Sequence, residues 1–372
     1  MIRTGLDNLS TVKGILKGAR LGLMTNPTGV DASMRSSIDI LNEGFRLSAL
    51  LDCEHGVRGS VPAGEHIGSF RDEKTGVTVY SCYGASTHLS QVMLDDFDVF
   101  VYDIQDAGAR FYTFIYSLSD AMEDCARAGK TVVVLDRPNP LGGLTVQGTL
   151  LDEEVSSFVG RYAIPTRYGL TVGEYARWVK SYLKLELDLH VVPMTGWKRS
   201  MRFEDTGLKF VPPSPNLSTL HAARVYPGTC IFEGCNISEG RGTALPFELI
   251  GAPFLDAEKL ALRMNSLGLE GFYFREAYFT PACSKHAGQQ CAGVQIYVTD
   301  ELKADAPLMG LMLMDEIRAM SGDKFEWTSS IDRLVGTKDY REGRASGIEL
   351  IEQNRLPIQD WQRQSEEFWL YT

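Results

Sequence analysis

Four stretches of the chain concentrate residue types that can move protons or grip a polar ligand. The first is Asp52-Cys53-Glu54-His55-Gly56-Val57-Arg58-Gly59, with Glu65 and His66 shortly after. A carboxylate, an imidazole and a guanidinium on one glycine-flexed loop can hold a proton donor beside an anion clamp. Glu54, His55, Glu65 and His66 could also ligate a metal, but adjacent pairs are awkward around one ion, and no metal is expected. The second stretch, Asp103-Ile104-Gln105-Asp106 through Arg110-Phe111-Tyr112, sets two carboxylates three residues apart with an arginine behind them. Such a pair can split in pKa so that one acid stays protonated while the other is ionised; an N-capping acid beside a salt bridge would use the same residues.

The third stretch, Asp136-Arg137-Pro138-Asn139-Pro140, presents an acid, a guanidinium and an amide on a backbone stiffened by two prolines. Polar readout of a ligand fits it, and so does an ordinary turn. The fourth runs from Pro212-Pro213-Ser214-Pro215-Asn216 to Glu233, Asn236, Glu239 and Arg241, an acid, amide and guanidinium set of the kind that binds sugars. Gly240-Arg241-Gly242 lacks the lysine and spacing of a P-loop and does not match GxGxxG. There is no Gly-x-Ser-x-Gly elbow for a serine hydrolase. Cys53, although near His55, reads as a packed thiol.

Short apolar runs at Leu21–Met24, Leu47–Leu51, Val77–Tyr80, Val99–Tyr102 and Val132–Leu135 predict strands, and Ser36–Asn42 and Phe114–Ala128 predict helices between them. Phe114, Leu118, Met122 and Cys125 recur at helical spacing before a stop at Gly129. This alternation implies an α/β fold, a Rossmann-like, mostly parallel sheet covered on both faces, whose ligands bind beyond the carboxyl ends of the strands. The first three polar motifs fall at those ends. Thr171 and Glu174 predict a capping box opening another helix, ahead of a strand at Leu189–Met194. Residues 211–253 show little periodicity and read as a long functional loop. Beyond them come a helix near Ala257–Ser266, strands at Gly271–Phe279 and Val294–Val298, and a helix around Leu308–Met320, whose methionines read as core filler. The division expected is a Rossmann-like domain over residues 1–210 and a smaller α+β domain over residues 211–372.

With 44% apolar and 23% charged residues among 372, the composition is that of a globular protein large enough for two cores. A formal charge of -11 and the absence of a basic patch argue against nucleic acid or an anionic membrane as partner. No run is long and apolar enough for a membrane span or a signal peptide. Seven scattered cysteines without a CxxC pair argue against a disulfide framework or zinc knuckle. A cytoplasmic location is expected, or a periplasmic or secreted one if an export signal has been removed. Oligomeric state is not legible.

Taken together and in order, these motifs resemble the NamZ-type exo-β-N-acetylmuramidases, a glycoside hydrolase family. The resemblance rests on Glu54-His55-Gly56, Gln105-Asp106 through Arg110-Phe111-Tyr112, Asp136-Arg137-Pro138-Asn139-Pro140, Pro212-Pro213-Ser214-Pro215-Asn216, Glu233 through Thr243, Pro246-Phe247 and Gly251-Ala252-Pro253. It implies a cleft between a Rossmann-like domain and a smaller one, release of N-acetylmuramic acid from the non-reducing ends of peptidoglycan-derived muropeptides or disaccharides, and no cofactor. It makes Glu54 the first choice for general acid/base. A second carboxylate would stand about 5–5.5 Å away for retention or about 6.5–9.5 Å for inversion, with Asp103, Asp106 and Glu239 as candidates, and assistance by the sugar's own N-acetyl group remains open. Glu54, Asp106 and Glu239 are therefore the expected catalytic set. His55, Arg58, Asp103, Gln105, Arg110, Tyr112, Asp136, Arg137, Asn139, Asn216, Glu233, Asn236 and Arg241 are the expected substrate contacts. Arg58, Arg110, Arg137 and Arg241 compete for the lactyl carboxylate. The loop over residues 212–243 is expected to wall the cleft and bring Glu239 within roughly 10 Å of Glu54. A non-catalytic muropeptide- or nucleotide-sugar-binding protein, or a metal-dependent hydrolase using Glu54, His55 and His66, are the competing readings.

Overall fold

The computed structural model describes residues 1–54, 56–59, 69–82, 84 and 87–372. In chain order the first half contains α1 (Lys13–Leu16), β1 (Arg20–Thr25), α2 (Ser37–Gly44), β2 (Arg46–Asp52), β3 (Phe70–Arg71), β4 (Thr78–Ser81), α3 (Gln91–Asp95), β5 (Val99–Asp103), α4 (Phe114–Arg127) and β6 (Thr131–Leu135). It continues with β7 (Gln147–Leu150), β8 (Pro165–Arg167), α5 (Val172–Tyr182) and β9 (Leu189–Val192). Every apolar run singled out above becomes a strand, because β-branched and aromatic residues suit a pleated surface buried on both faces. Most of the helices start where a side chain can satisfy free backbone donors. Ser36 accepts from the Ile38 N–H to open α2, and Thr171 with Glu174 closes a capping box on α5.

Seven strands form one sheet in the order β3-β4-β2-β1-β5-β6-β9, all parallel except β3. The chain winds outward in one direction from β1 through β2 and in the other from β5 through β6. The switch point therefore lies between β1 and β5, where such sheets open a crevice. Leu51 pairs level with Met24, and Asp103 with Thr25, so the ends of β2, β1 and β5 finish side by side. That register brings the Asp52–Glu54 and Asp103–Asp106 motifs to one edge. Leu21, Leu23, Leu50, Val101 and Val133 pack on Ile38 and Leu41 of α2, while Met24, Leu51, Tyr102 and Val134 pack on Leu118 and Met122 of α4 and Val179 of α5.

The second half contains α6 (Leu220–Thr229), β10 (Leu249–Ala252), α7 (Ala257–Ser266), β11 (Phe272–Phe279), β12 (Cys291–Val298), α8 (Ala306–Ser321), α9 (Ile331–Val335) and α10 (Gly347–Ser365). Its antiparallel sheet runs β10-β12-β11. The core around α4 continues without a break through Phe232, Ile250, Ile296, Met309 and Met314, so the smaller antiparallel unit is packed onto the first rather than tethered to it. The expected structureless loop differs here. Residues 220–229 are helical despite Pro227, and Gly228 is there for contact. A Cβ on Gly228 would fall 1.9 Å from the Ala306 carbonyl oxygen, and one on Gly310 1.9 Å from that of Gly228. The two glycines let α6 and α8 meet backbone to backbone. Among the described residues no helix is long and apolar enough to cross a membrane.

Candidate active site

Two residues past β2, Glu54 lies half-buried on the wall of a cleft of about 220 Å³. The loop that carries it is pinned by its neighbours. Asp52 accepts from the Gly56 N–H at 3.0 Å, and Gly56 takes a φ of 81° that favours glycine. Burial pushes the Asp52 carboxyl up to about 6, and the nearby Glu54 charge adds to the effect. Arg58 turns away to Asp72, at 2.6 Å, and tethers the loop to the sheet edge; it holds the Asp72 carboxyl down at about 2. His55, Glu65 and His66 lie outside the described residues. Among those described, no three His, Cys, Asp or Glu side chains are grouped to hold a metal.

Facing the same cleft are Tyr112 and Thr113 from the turn before α4, Ser214 and Asn216 from the proline-rich segment, and Glu233 and Arg241 from the second half. Aromatic side chains of Phe111, Tyr226 and Phe247 complete much of its surface. Arg241 donates to Glu233 at 2.6 Å and stands 3.3 Å from Glu239. Burial would lower the Arg241 pKa, but the two carboxylates outweigh it and hold the guanidinium charged. Glu239 is 2% exposed, paired with Lys285 at 2.7 Å, and does not line the cleft; it supports Arg241 from behind.

Most of the remaining motif residues are placed at the carboxyl edge of the sheet. Arg137 pairs with Asp103 at 2.7 Å, both buried. Burial raises the Asp103 carboxyl and the arginine charge opposes it. Gln105 donates to the Pro138 carbonyl at 2.7 Å, locking the second motif to the third. Asp136 accepts from the Arg137 and Gly173 N–H groups and the Thr171 and Tyr371 hydroxyls, the last at 2.6 Å, which docks the C-terminal segment beneath the edge. Asn139 spans the Leu141 N–H and the Leu170 carbonyl and presses on Gly108, whose φ of 75° admits glycine. Asp106 accepts from Tyr168 and from the Gly108 N–H at 2.7 Å, while its Oδ1 has no protein partner; burial lifts it to about 6. Arg110 is fully buried against main-chain carbonyls. Asn236 bridges the Lys324 carbonyl and the Glu326 N–H. Of the expected residues, the cleft thus gathers Glu54, Tyr112, Asn216, Glu233 and Arg241. The aromatic lining went unassigned in sequence, where Tyr226 and Phe247 are indistinguishable from core residues.

Asp52, Asp106 and Asp136, raised by burial to about 6, 6 and 7, make stability depend on pH in a definite direction. The folded chain keeps protons that the unfolded chain releases near pH 4, so this stabilisation is complete below about pH 4 and lost as pH rises toward 7. Melting temperature is expected to rise between pH 7.5 and 5.5, and Asp136→Asn to flatten that slope. An unchanged slope in the variant would remove Asp136 from the effect.

The N-terminal model of the exo-β-N-acetylmuramidase NamZ family matches residues 21–221, and its C-terminal model matches residues 224–371. The chain belongs to the NamZ family. A peptidoglycan β-N-acetylmuramidase NamZ from Bacillus subtilis (strain 168) is 46% identical over 378 residues, covering 100% of this chain and 91% of that protein. Two crystal structures of DUF1343 family proteins from Bacteroides fragilis NCTC 9343 share the fold. One superposes with a TM-score of 0.92 at 37% identity and the other with 0.81 at 28%, each covering 100% of this chain and 99% of its own. The cleft falls between the two NamZ halves: Glu54, Tyr112, Ser214 and Asn216 belong to the N-terminal match, and Tyr226, Glu233, Arg241 and Phe247 to the C-terminal one.

Proposed function

We propose that this NamZ-family glycoside hydrolase releases N-acetylmuramic acid from the non-reducing ends of peptidoglycan fragments, with Glu54 as general acid/base. The observation that carries the reading is the convergence of Glu54 and Arg241, from opposite halves of the family pattern, on one cleft. Glu54 protonates the glycosidic oxygen as the bond from C1 breaks, and regains its proton from the water that completes hydrolysis. Glu233 is the other carboxylate on the cleft surface among the described residues, which favours it over Asp106 and Glu239 for any direct second role.

Of the four arginines that could grip the lactyl carboxylate, Arg241 alone lines the cleft. Glu233, Glu239 and the face of Phe247, 5.2 Å from its guanidinium carbon, fix its orientation. Chromogenic N-acetylmuramides are therefore expected to be cleaved about 10²-fold or more faster than the matching N-acetylglucosaminides, because the glucosaminide lacks the lactyl carboxylate that the oriented guanidinium fork would bind. Arg241→Lys, which retains the charge and loses the fork, should erode most of that ratio. Equal rates on the two sugars in the wild type would sink the clamp; cleavage abolished by a chelator would favour the metal-dependent reading instead.

A further inference from the structure

One part of the cleft is apolar in a way that sugar hydroxyls do not require. Tyr112, Tyr226 and Phe247 present interlocked rings there, with Tyr112 and Tyr226 at 5.8 Å and 85° and Tyr226 and Phe247 at 4.8 Å and 86°. Edge-to-face contacts of this kind hold each ring rigidly. Phe247 has a φ of 65°, an uncommon value for a bulky residue, and its N–H is held by the Glu239 carbonyl at 2.6 Å. Strain of this sort persists where the surroundings over-determine it, as at ligand clamps.

Within this apolar wall stands one polar atom without a full hydrogen bond. Tyr112 is 8% exposed, and its hydroxyl has no partner in full hydrogen-bond geometry; the Ser214 side chain is the polar group it interacts with. A buried hydroxyl left unpaired is costly, and the cost is recovered when a ligand supplies the acceptor. Burial holds the phenol well above its ordinary pKa, so it remains an O–H donor at any pH where the protein works.

An aromatic wall with a single embedded donor matches one substituent of an N-acetylated amino sugar: a methyl group attached to a carbonyl. We propose that this wall seats the 2-acetamido group, its methyl against Tyr226 and Phe247 and its carbonyl oxygen accepting from the Tyr112 hydroxyl. Tyr112 is then a specificity-determining residue for the 2-position, as Arg241 is for the 3-position. The assignment rests on the amino-sugar reading above and adds to it which residues recognise nitrogen-bearing substrates.

Calorimetric titration with N-acetylmuramic acid and with 3-O-lactylglucose, which carries a hydroxyl in place of the acetamido group, tests this directly. The wild type should bind the N-acetylated sugar more tightly, and Tyr112→Phe should lower that preference by about 3- to 10-fold while leaving the affinity for 3-O-lactylglucose unchanged. Because the substitution removes a buried hydroxyl without a full hydrogen bond, its melting temperature should equal or exceed that of the wild type. Phe247→Leu supplies a second reading, with affinity for the N-acetylated sugar falling more than that for the analogue. Equal affinity of the wild type for both sugars, or equal weakening of both by Tyr112→Phe, would overturn the acetamido assignment and leave the muramidase reading standing. Failure of the wild type to bind either sugar and to cleave a chromogenic N-acetylmuramide would instead bring down that reading and the assignment with it.

Discussion

Replacing Glu54 with glutamine is expected to lower kcat on an N-acetylmuramide by about 10²–10⁴-fold, the usual worth of a positioned general acid/base. Affinity for N-acetylmuramic acid and the melting temperature should stay close to wild type. The amide preserves the shape of the side chain and its place in the cleft but cannot deliver a proton to the leaving oxygen. The loop itself does not depend on that proton, because the Asp52 carboxyl bonded to the Gly56 N–H and the Arg58–Asp72 pair hold it from either side. Steady-state kinetics with a product-binding titration separate the two effects. Activity within a few-fold of wild type would take Glu54 out of the acid/base role.

Arg110→Ala is expected to act on folding rather than on recognition. The guanidinium is fully buried, and Nη1 donates to the Thr149 and Ile164 carbonyls while Nη2 donates to those of Leu334 and Val335. Removing it strands several buried acceptors, each costing about 1–3 kcal/mol, so a loss of about 3 kcal/mol or more follows. Its contacts join β7 and the start of β8 to the C-terminal end of α9, and even Gly336 is constrained by it, since a Cβ there would lie 2.6 Å from Nη2. Burial without an adjacent carboxylate lowers its pKa to about 10, still charged at neutral pH. Thermal melts should fall by several degrees, while the rate ratio between muramides and glucosaminides in the remaining folded enzyme should hold. A stable variant with that ratio lost would place Arg110 at the lactyl group instead.

The contrast between these two residues shows where sequence reasoning carries and where it stops. The sheet was legible because its strands are short β-branched and aromatic runs punctuated by turns, and α4 and α5 announce themselves by spacing and by the Thr171–Glu174 capping box. Helix α6 was not, because Pro227 and Gly228 look like breakers until α8 is seen pressed against them. At the site, Glu54 and Arg241 could be picked out because charged residues on glycine-rich segments seldom serve packing. Asp103, Asp136 and Arg110 carry the same signature for a different reason: the two acids are buried in the carboxyl edge and Arg110 between β7, β8 and α9, each bonded to groups that build the fold. Residue type cannot distinguish an acid that meets a substrate from one that meets an arginine inside the fold. The aromatic wall posed the converse problem, since Tyr226 and Phe247, unlike Tyr112, become recognisable as surface only when the two halves are brought together.

The most direct test uses two disaccharides that differ only in order. One carries N-acetylmuramic acid at the non-reducing end, linked to N-acetylglucosamine, and the other has the two sugars reversed; products are followed by mass spectrometry. The account predicts release of free N-acetylmuramic acid from the first, no cleavage of the second, and no release from the first by Glu54→Gln on the same timescale. Cleavage of both, or of the reversed disaccharide alone, would contradict it.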